Sequence, residues 1–593
     1  MGNALNSVMV ANQKLNFMKP RRLLALLSLV GMTANFTTIA ALPATPRPNI
    51  VFILADDFGY MDINAYATRM TGVPAAQQFY ETPNLDRLTQ AGTAFAQAYA
   101  CQLCSPTRSG LLTGRNAAKI GVTTATPGSV KTFYNQGIKP PPGYLANDAI
   151  FWGDNLKLEQ ALLNGSTLDA MPSGQPLDQG RNELTVAEAL AGYHSAFIGK
   201  WHLGSHGAQG WQPHDQGFEE LAYCDEGSSP HFNWRGSWDS RKKVFPKMPQ
   251  TELWRGKSGP ETGKSYLTDS LTATAVNFIA QSATNARPFF LYFCEFAVHS
   301  PYQAKAGDIA HFETESTRGW NGQSNAVYAA MVRSLDDSVG RILDELARTG
   351  IASNTLVVFM SDNGGVTYTT PAATCNAPLK GGKGMMFEGG IRVPLVFHWP
   401  GHIPTNQWSD VPVSYEDMFP TLLDLSGENP QPHYAHIDGR SLKTLFNDPA
   451  NEKHSYPRDI FYWHYPFNVA VNDPEDGQAL TPHSAIRESD YKLIFDWSGR
   501  LLLYNEKTDW REEHNLAAAM PDKAKTMFKD FNAWLDKNVA AKYTPAVNPN
   551  YDPAKALPSR PFTDLRREIL GEKSAIRSAA SDARFQMLQA EKE

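Results

Sequence analysis

The chain has 593 residues, 42% hydrophobic and 19% charged, enough for a large core in one big domain plus a smaller one. A net charge of −6 at pH 7 argues against a nucleic-acid partner, which calls for a basic domain, yet leaves room for a local cationic site that takes anionic substrates. No apolar run is long enough to span a membrane, so stable membrane insertion is not expected.

Near the N-terminus, Lys19, Arg21 and Arg22 precede a short apolar run from Leu23 to Val30, and small residues follow at Ala40, Ala41 and Ala44. That pattern predicts a secretory signal, with residues 1–44 as signal and linker and the mature protein exported to the periplasm or the medium. Export permits disulfides. The five cysteines, 101, 104, 224, 294 and 375, are odd in number, which leaves at least one without an intramolecular partner.

From Asn49 onward one unit recurs: an apolar run followed directly by polar, chemically capable residues. Asn49 to Ala55 predicts a strand buried on both faces and runs into Asp56-Asp57. Thr82, Pro83 and Gly92 frame a helix, with Thr82 as its cap. Thr185 and Glu188 form a capping box before the strand His194 to Ile198, which leads to Gly199-Lys200-Trp201-His202. A strand from Pro288 to Phe296 leads to His299-Ser300-Pro301. A long amphipathic helix runs from Tyr328 to Leu346, and the strand Leu356 to Met360 ends in Ser361-Asp362-Asn363-Gly364. Alternating strands and helices imply an α/β fold with a large, mostly parallel sheet, in which ligands bind at the carboxyl ends of strands. The polar clusters sit at such ends. After about residue 455, short strands at 459–465, 484–488, 491–497 and 501–505 precede a helix near 524–537. They predict a smaller antiparallel domain over 456–545, beside a main domain at 45–455 and an extended, then helical, tail at 546–593.

Asp56, Asp57, Asp362 and Asn363 offer hard oxygen donors suited to calcium or magnesium. Taken alone, Asp56-Asp57 could instead cap a helix. In Cys104-Ser105-Pro106-Thr107-Arg108, Pro106 fits a first helical turn, so Cys104 stands at a helix start where free amides favour an anion and should depress a thiol pKa. Cys101-x-x-Cys104 could also be a redox pair or half a zinc site, but no second Cys/His pair has matching spacing.

Cys104-x-Pro106-Thr107-Arg108, followed by Thr113-Gly114-Arg115, resembles the signature of the type I, formylglycine-dependent sulfatases of the alkaline-phosphatase-like superfamily. Asp56-Asp57-x-Gly59, Gly199-Lys200-Trp201-His202-Leu203-Gly204, Ser361-Asp362-Asn363-Gly364 and Gly382-Lys383-Gly384 with Glu388-Gly389-Gly390 are similar to the other boxes of that family, in its order. The resemblance implies an alkaline-phosphatase-like fold and hydrolysis of sulfate esters. It implies one calcium ion held by Asp56, Asp57, Asp362, Asn363 and residue 104, and a maturation enzyme that converts Cys104 to formylglycine. Arg108, Lys200 and Lys383 would neutralise sulfate, with His299 and His202 as proton carriers; His299 rests only on an apolar strand followed by His-Ser-Pro.

For the substrate, an aromatic and basic stretch contains Trp234 and Arg235, and His464 lies in an aromatic cluster of the second domain. These residues point to a sulfated carbohydrate ahead of a small aryl sulfate, although they could equally pack a domain junction. A phosphoester or phosphonate hydrolase on the same fold is the nearest rival, and a non-catalytic calcium- or glycan-binding protein a more distant one.

Overall fold

Every side chain of the first strand is buried, and its alternate residues enter two different cores. This is the signature of a central strand covered on both faces. The computed structural model describes residues 47–125, 146–147, 163–164, 167–168, 183–204, 212–224, 227–232, 234, 265–467, 469–497, 499–547, 552–555 and 563–571. The segment expected to be a signal, Arg235 and most of the C-terminal tail lie outside them.

In chain order the elements that build the site are β1 (Asn49–Ala55), α1 (Pro83–Ala91), β2 (Thr93–Tyr99), α2 (Cys104–Thr113), β3 (His194–Lys200), β4 (Glu220–Cys224), α3 (Leu267–Ser282), β5 (Phe289–Cys294), α4 (Ala326–Arg348), β6 (Thr355–Ser361), α5 (Glu388–Ile391), β7 (Arg392–His398), β8 (Gln407–Ser409) and β9 (Val413–Ser414). A second group follows: β10 (Ile460–Tyr465), β11 (His483–Glu488), β12 (Tyr491–Asp496), β13 (Leu501–Asn505) and α6 (Pro521–Asn538).

The main sheet runs β8-β2-β7-β6-β1-β5-β3-β4, with β9 also on β2. The strands from β6 to β4 are mutually parallel, and β7 is antiparallel to both of its neighbours. Ile50, Phe52 and Leu54 face one core; Val51, Ile53 and Ala55 face the other, where Met331, Leu335, Val339, Ile342 and Leu346 of α4 pack. The second sheet, β10-β11-β12-β13, is wholly antiparallel and carries α6 on β11, β12 and β13. The α/β class and both sheets are as the sequence predicts. No described helix is long and apolar enough to cross a membrane.

Two local expectations change. Thr82 does not cap α1 through its side chain; its Oγ1 bonds to Asn64 instead. The carboxylate of Asp336, from α4, accepts from Asn84 N and Leu85 N at 3.0 and 2.8 Å, so a neighbouring helix satisfies these amides. The capping box of Thr185 and Glu188 is present as expected. Ala546–Val547 pairs with Leu163–Asn164, a link between two segments nearly 400 residues apart in the chain.

Candidate active site

The strands β6, β1, β5 and β3 lie side by side, and each delivers site residues from its carboxyl end. Asp362-Asn363 follow β6, Asp56-Asp57 follow β1, His299 follows β5, and Lys200 closes β3 two residues before His202. Adjacent parallel strands end at one level, so residues far apart in sequence converge there.

The helix α2 brings Cys104 to the same place. Leu103 is extended and Cys104 takes the first helical position. Thr107 Oγ1 accepts from Cys101 N at 2.9 Å and fixes the turn, while Ser105 Oγ donates to His202 O at 2.7 Å and ties the helix start to the Lys-Trp-His segment. Lys383 comes from the loop before α5, with its backbone N on Gly365 O at 3.0 Å.

Cys104 Sγ stands 3.4 Å from Asp56 Oδ1, 3.4 Å from Lys200 Nζ and 3.5 Å from Lys383 Nζ. Lys200 Nζ reaches Asp56 Oδ2 and Lys383 Nζ reaches Asp57 Oδ1, both at 2.5 Å. Arg108 holds Asp362 Oδ2 through Nε at 2.9 Å and Nη2 at 2.8 Å, and its Nη1 donates to Lys200 O at 2.8 Å. His299 Nε2 lies 3.5 Å from Asp57 Oδ2. Its Nδ1–H donates to Ser300 O at 2.7 Å, which leaves Nε2 as the proton-exchanging nitrogen of the neutral ring.

These groups are nearly all buried, so charge pairing governs their titration. Burial works to raise Asp57, but Lys383, His299 and Lys200 hold its carboxyl below the usual range. Burial and the nearby Asp56 push Asp362 up to about 6 against Arg108. Burial pulls His299 down to about 3, with Asp57 opposing. The expected depression of the Cys104 thiol is reversed: burial and the Asp362 carboxylate raise it, outweighing Lys200 and Lys383. A helix start favours a thiolate only where burial and neighbouring carboxylates do not outweigh it.

Two site residues, Asp57 and His202, adopt left-handed backbone conformations at φ 61° and 57°. Such strain is held by the surrounding structure and clusters at functional sites. Gly199 has φ +109°, and an added Cβ would stand 1.7 Å from Cys294 O on β5. Gly199→Ala is therefore expected to cost at least ~3 kcal/mol in stability and to displace Lys200. Denaturant unfolding checks the first effect and ester turnover the second.

The donor set fits a hard divalent cation. Asp56, Asp57, residue 104 and His299 present potential ligand atoms within 4.8 Å of one another. Asn363 Nδ2 donates to Asp57 Oδ1 at 2.9 Å, while its fully buried Oδ1 has no hydrogen-bond partner among the described residues. An orphaned buried acceptor among carboxylates is what an oxygen-seeking ion satisfies.

Two expected substrate residues are not platforms. Trp234 is buried in the core formed with α3 and α4. His464 is buried on β10, with Nδ1 and Nε2 each 2.9 Å from Ser484 Oγ and Tyr543 O, and it packs against Trp497 and Phe531. Both ring nitrogens are engaged by the protein, so it is a core histidine. Its neighbour Trp463 instead touches the catalytic segment, donating from Nε1 to Ala100 O at 2.8 Å.

Sequence reasoning missed the support beneath the site. Tyr328 OH donates to Asp62 Oδ2 at 2.6 Å and lies 3.3 Å from Asp57 O, and Thr374 Oγ1 donates to Asp62 Oδ1 at 2.9 Å. No local pattern joins these residues. His231 backs His299, with its Nε2 3.2 Å from the His299 backbone oxygen.

A parallel-centred α/β sheet with a cationic and acidic cluster around a helix-start residue defines a hydrolase of the alkaline-phosphatase-like superfamily. The sulfatase family model matches residues 48–147 and 156–428, and the model for the C-terminal part of N-sulphoglucosamine sulphohydrolase matches 382–539. A sulfatase of Formosa agariphila is 29% identical over 84% of this chain and 90% of its own length. Human N-acetylgalactosamine-6-sulfatase is 33% identical over 71% of this chain and 69% of its own. The crystal structure of Ps i-CgsB in complex with k-i-k-neocarrahexaose superposes with a TM-score of 0.61 at 27% identity, covering 83% of this chain and 93% of that one. The chain belongs to the sulfatase family and is a sulfuric ester hydrolase.

Proposed function

We propose that this sulfatase removes O-sulfate groups from sulfated carbohydrates, using one calcium ion and a formylglycine made from Cys104 by a maturation enzyme. The observation that carries this is the convergence of Asp56, Asp57, Asp362 and the orphaned Asn363 Oδ1 around Cys104, with Lys200 and Lys383 against its sulfur. Similarity to an N-acetylgalactosamine-6-sulfatase, and to a structure holding an oligosaccharide, supports a carbohydrate over an aryl substrate.

Asp56, Asp57, Asp362, Asn363 and residue 104 would hold the calcium, which supplies a fixed divalent charge for sulfate oxygens. Once Cys104 is converted, residue 104 as an aldehyde hydrate would offer two hydroxyls on one carbon, one as the nucleophile for sulfur and the other as the group whose deprotonation would release sulfate. Lys200 and Lys383 neutralise the charge that develops on the sulfate oxygens, and Arg108 holds Asp362 in place. His299 delivers a proton from Nε2 to the leaving oxygen, with Lys383 beside it. Its neutral resting state means that the negative charge of the bound ester must raise its affinity for that proton. His202, tied to the helix start, takes the proton of the remaining hydroxyl. We assign residues 1–44 to an export signal and linker, 45–455 to the catalytic domain, 456–545 to a second domain and 546–593 to a tail.

The test compares matched sulfate and phosphate esters, and sulfated saccharides with small aryl sulfates, before and after chelation. Expected are a preference for sulfate, turnover of a sulfated saccharide, loss of activity on chelation and its return with calcium. Turnover of aryl sulfates alone, or of phosphate esters in preference, overturns the assignment.

A further inference from the structure

The catalytic cluster is closed on most sides and open on one. The side chains of Asp56 and Lys200 are 0% exposed, Arg108 1%, and Asp57 and Lys383 3%, whereas that of His299 is 15% exposed. The group assigned to protonate the leaving oxygen thus stands where the site meets solvent. A sulfate group takes the closed end, so the rest of the ester must extend past His299. The residues beside that opening decide what the leaving group touches.

Two half-buried tyrosines flank it, and neither belongs to a box of the sulfatase signature. Tyr302 follows His299 by three residues. Its ring packs edge-on against Tyr328 at 6.1 Å between centroids, and the Tyr328 hydroxyl lies 3.3 Å from Asp57 O. Tyr368 lies in the segment between β6 and α5 that carries Asp362, Asn363 and Lys383. Burial raises both phenols, so both stay protonated and can donate. The same two charges act on each, Asp57 upward and Lys383 downward, which sets both hydroxyls near the mouth of the cluster. The Tyr302 hydroxyl reaches solvent and has no hydrogen-bond partner among the described residues. Its backbone is pinned at both ends: His231 Nε2 lies 3.2 Å from His299 O, and Tyr266 OH donates to Gln303 O at 3.0 Å. A hydroxyl held on fixed backbone without a protein partner is preorganised for one that a ligand brings.

We propose that Tyr302 and Tyr368 form the leaving-group subsite, where their hydroxyls bond the sugar hydroxyls next to the ester and so favour a sugar sulfate over an aryl sulfate. The inference rests on the carbohydrate reading of the active site and names the residues that enforce it. Its physical basis is an asymmetry: a site built to hydrogen-bond a hydroxyl discriminates against a leaving group that lacks one. An aryl ring with no hydroxyl beside its ester oxygen gives these phenols nothing to bond.

The test uses the full-length, matured, calcium-loaded enzyme. It measures kcat/KM for N-acetylgalactosamine 6-sulfate and k-i-k-neocarrahexaose as saccharides and for 4-nitrophenyl sulfate as the aryl ester. The variants are Tyr302→Phe and Tyr368→Phe, which keep the rings and remove only the hydroxyls. Because no described residue bonds the Tyr302 hydroxyl, Tyr302→Phe should melt at the wild-type temperature. Each variant is expected to lower the ratio of saccharide to aryl kcat/KM about tenfold, the scale of one lost hydrogen bond. A ratio as high as the wild type's in both variants overturns the proposal, whether neither substrate class is affected or both lose equally. Failure of the carbohydrate reading looks different: the wild type itself then cleaves the aryl ester and neither saccharide.

Discussion

Cys104→Ala is expected to yield a folded protein with sulfate ester turnover reduced on the order of 10⁶-fold, the scale seen when an enzyme loses its nucleophile. The side chain is buried, but its sulfur makes only long contacts of 3.4–3.5 Å to Asp56, Lys200 and Lys383. Alanine fits the first turn of α2 and leaves the ion pairs Lys200–Asp56 and Lys383–Asp57 in place. Activity should therefore disappear while circular dichroism and thermal melting stay close to wild type. The wild-type tryptic peptide that contains residue 104 should be lighter by about 18 Da, as a thiol exchanged for an aldehyde requires. Retention of most activity in Cys104→Ala would refute the role assigned to this residue.

Lys492→Met should be among the most destabilising single substitutions in the described structure. Lys492 is fully buried on β12, with Glu388 Oε1 at 2.5 Å, Glu512 Oε1 at 2.8 Å and Glu506 Oε1 at 3.4 Å. Glu388 opens α5, just after the Lys383 loop, and its backbone N donates to Glu512 Oε2 at 2.8 Å. The cation thus joins the second sheet to the segment that carries a site lysine. Removing one partner of a buried ion pair typically costs roughly 3–5 kcal/mol, because the opposite charge is left uncompensated.

The loss should depend on pH. Burial works to raise Glu388, but Lys492, Arg392 and Arg487 hold it at about 2; burial and the neighbouring Glu388 push Glu506 up to about 7. In the wild type, the depressed Glu388 contributes stability that is present above about pH 4.5 and lost only as pH falls toward 2. Without Lys492 the folded-state values of all three acids rise, and a raised carboxyl loses stability as pH increases. Thermal melting should therefore show a larger deficit at pH 8 than at pH 5.5. An equal deficit at both would mean that packing, and not charge, sets the role of Lys492.

The sequence by itself determined the strands, the order of the chemistry and the family. The continuous apolar run from Ile50 to Ala55, the capping box at Thr185 and the run Cys104-Ser105-Pro106-Thr107-Arg108 are local patterns, and local patterns survive in one dimension. It also placed polar clusters at strand ends, because an apolar run that stops at a carboxylate marks where a buried strand meets the site. Tertiary structure alone decided the rest. That Asp336 caps α1 and that Tyr328 and Asp62 brace Asp57 depends on helices and strands meeting across more than 250 residues, and that Lys492 reaches Glu388 depends on the second sheet docking against the main domain. The Cys104 thiol changed sign for the same reason: its helix start is written locally, but the burial that outweighs it, and the carboxylates that add to it, come from other strands. His464 and Trp234 had the composition of a sugar platform, yet only packing reveals which aromatic faces are already covered.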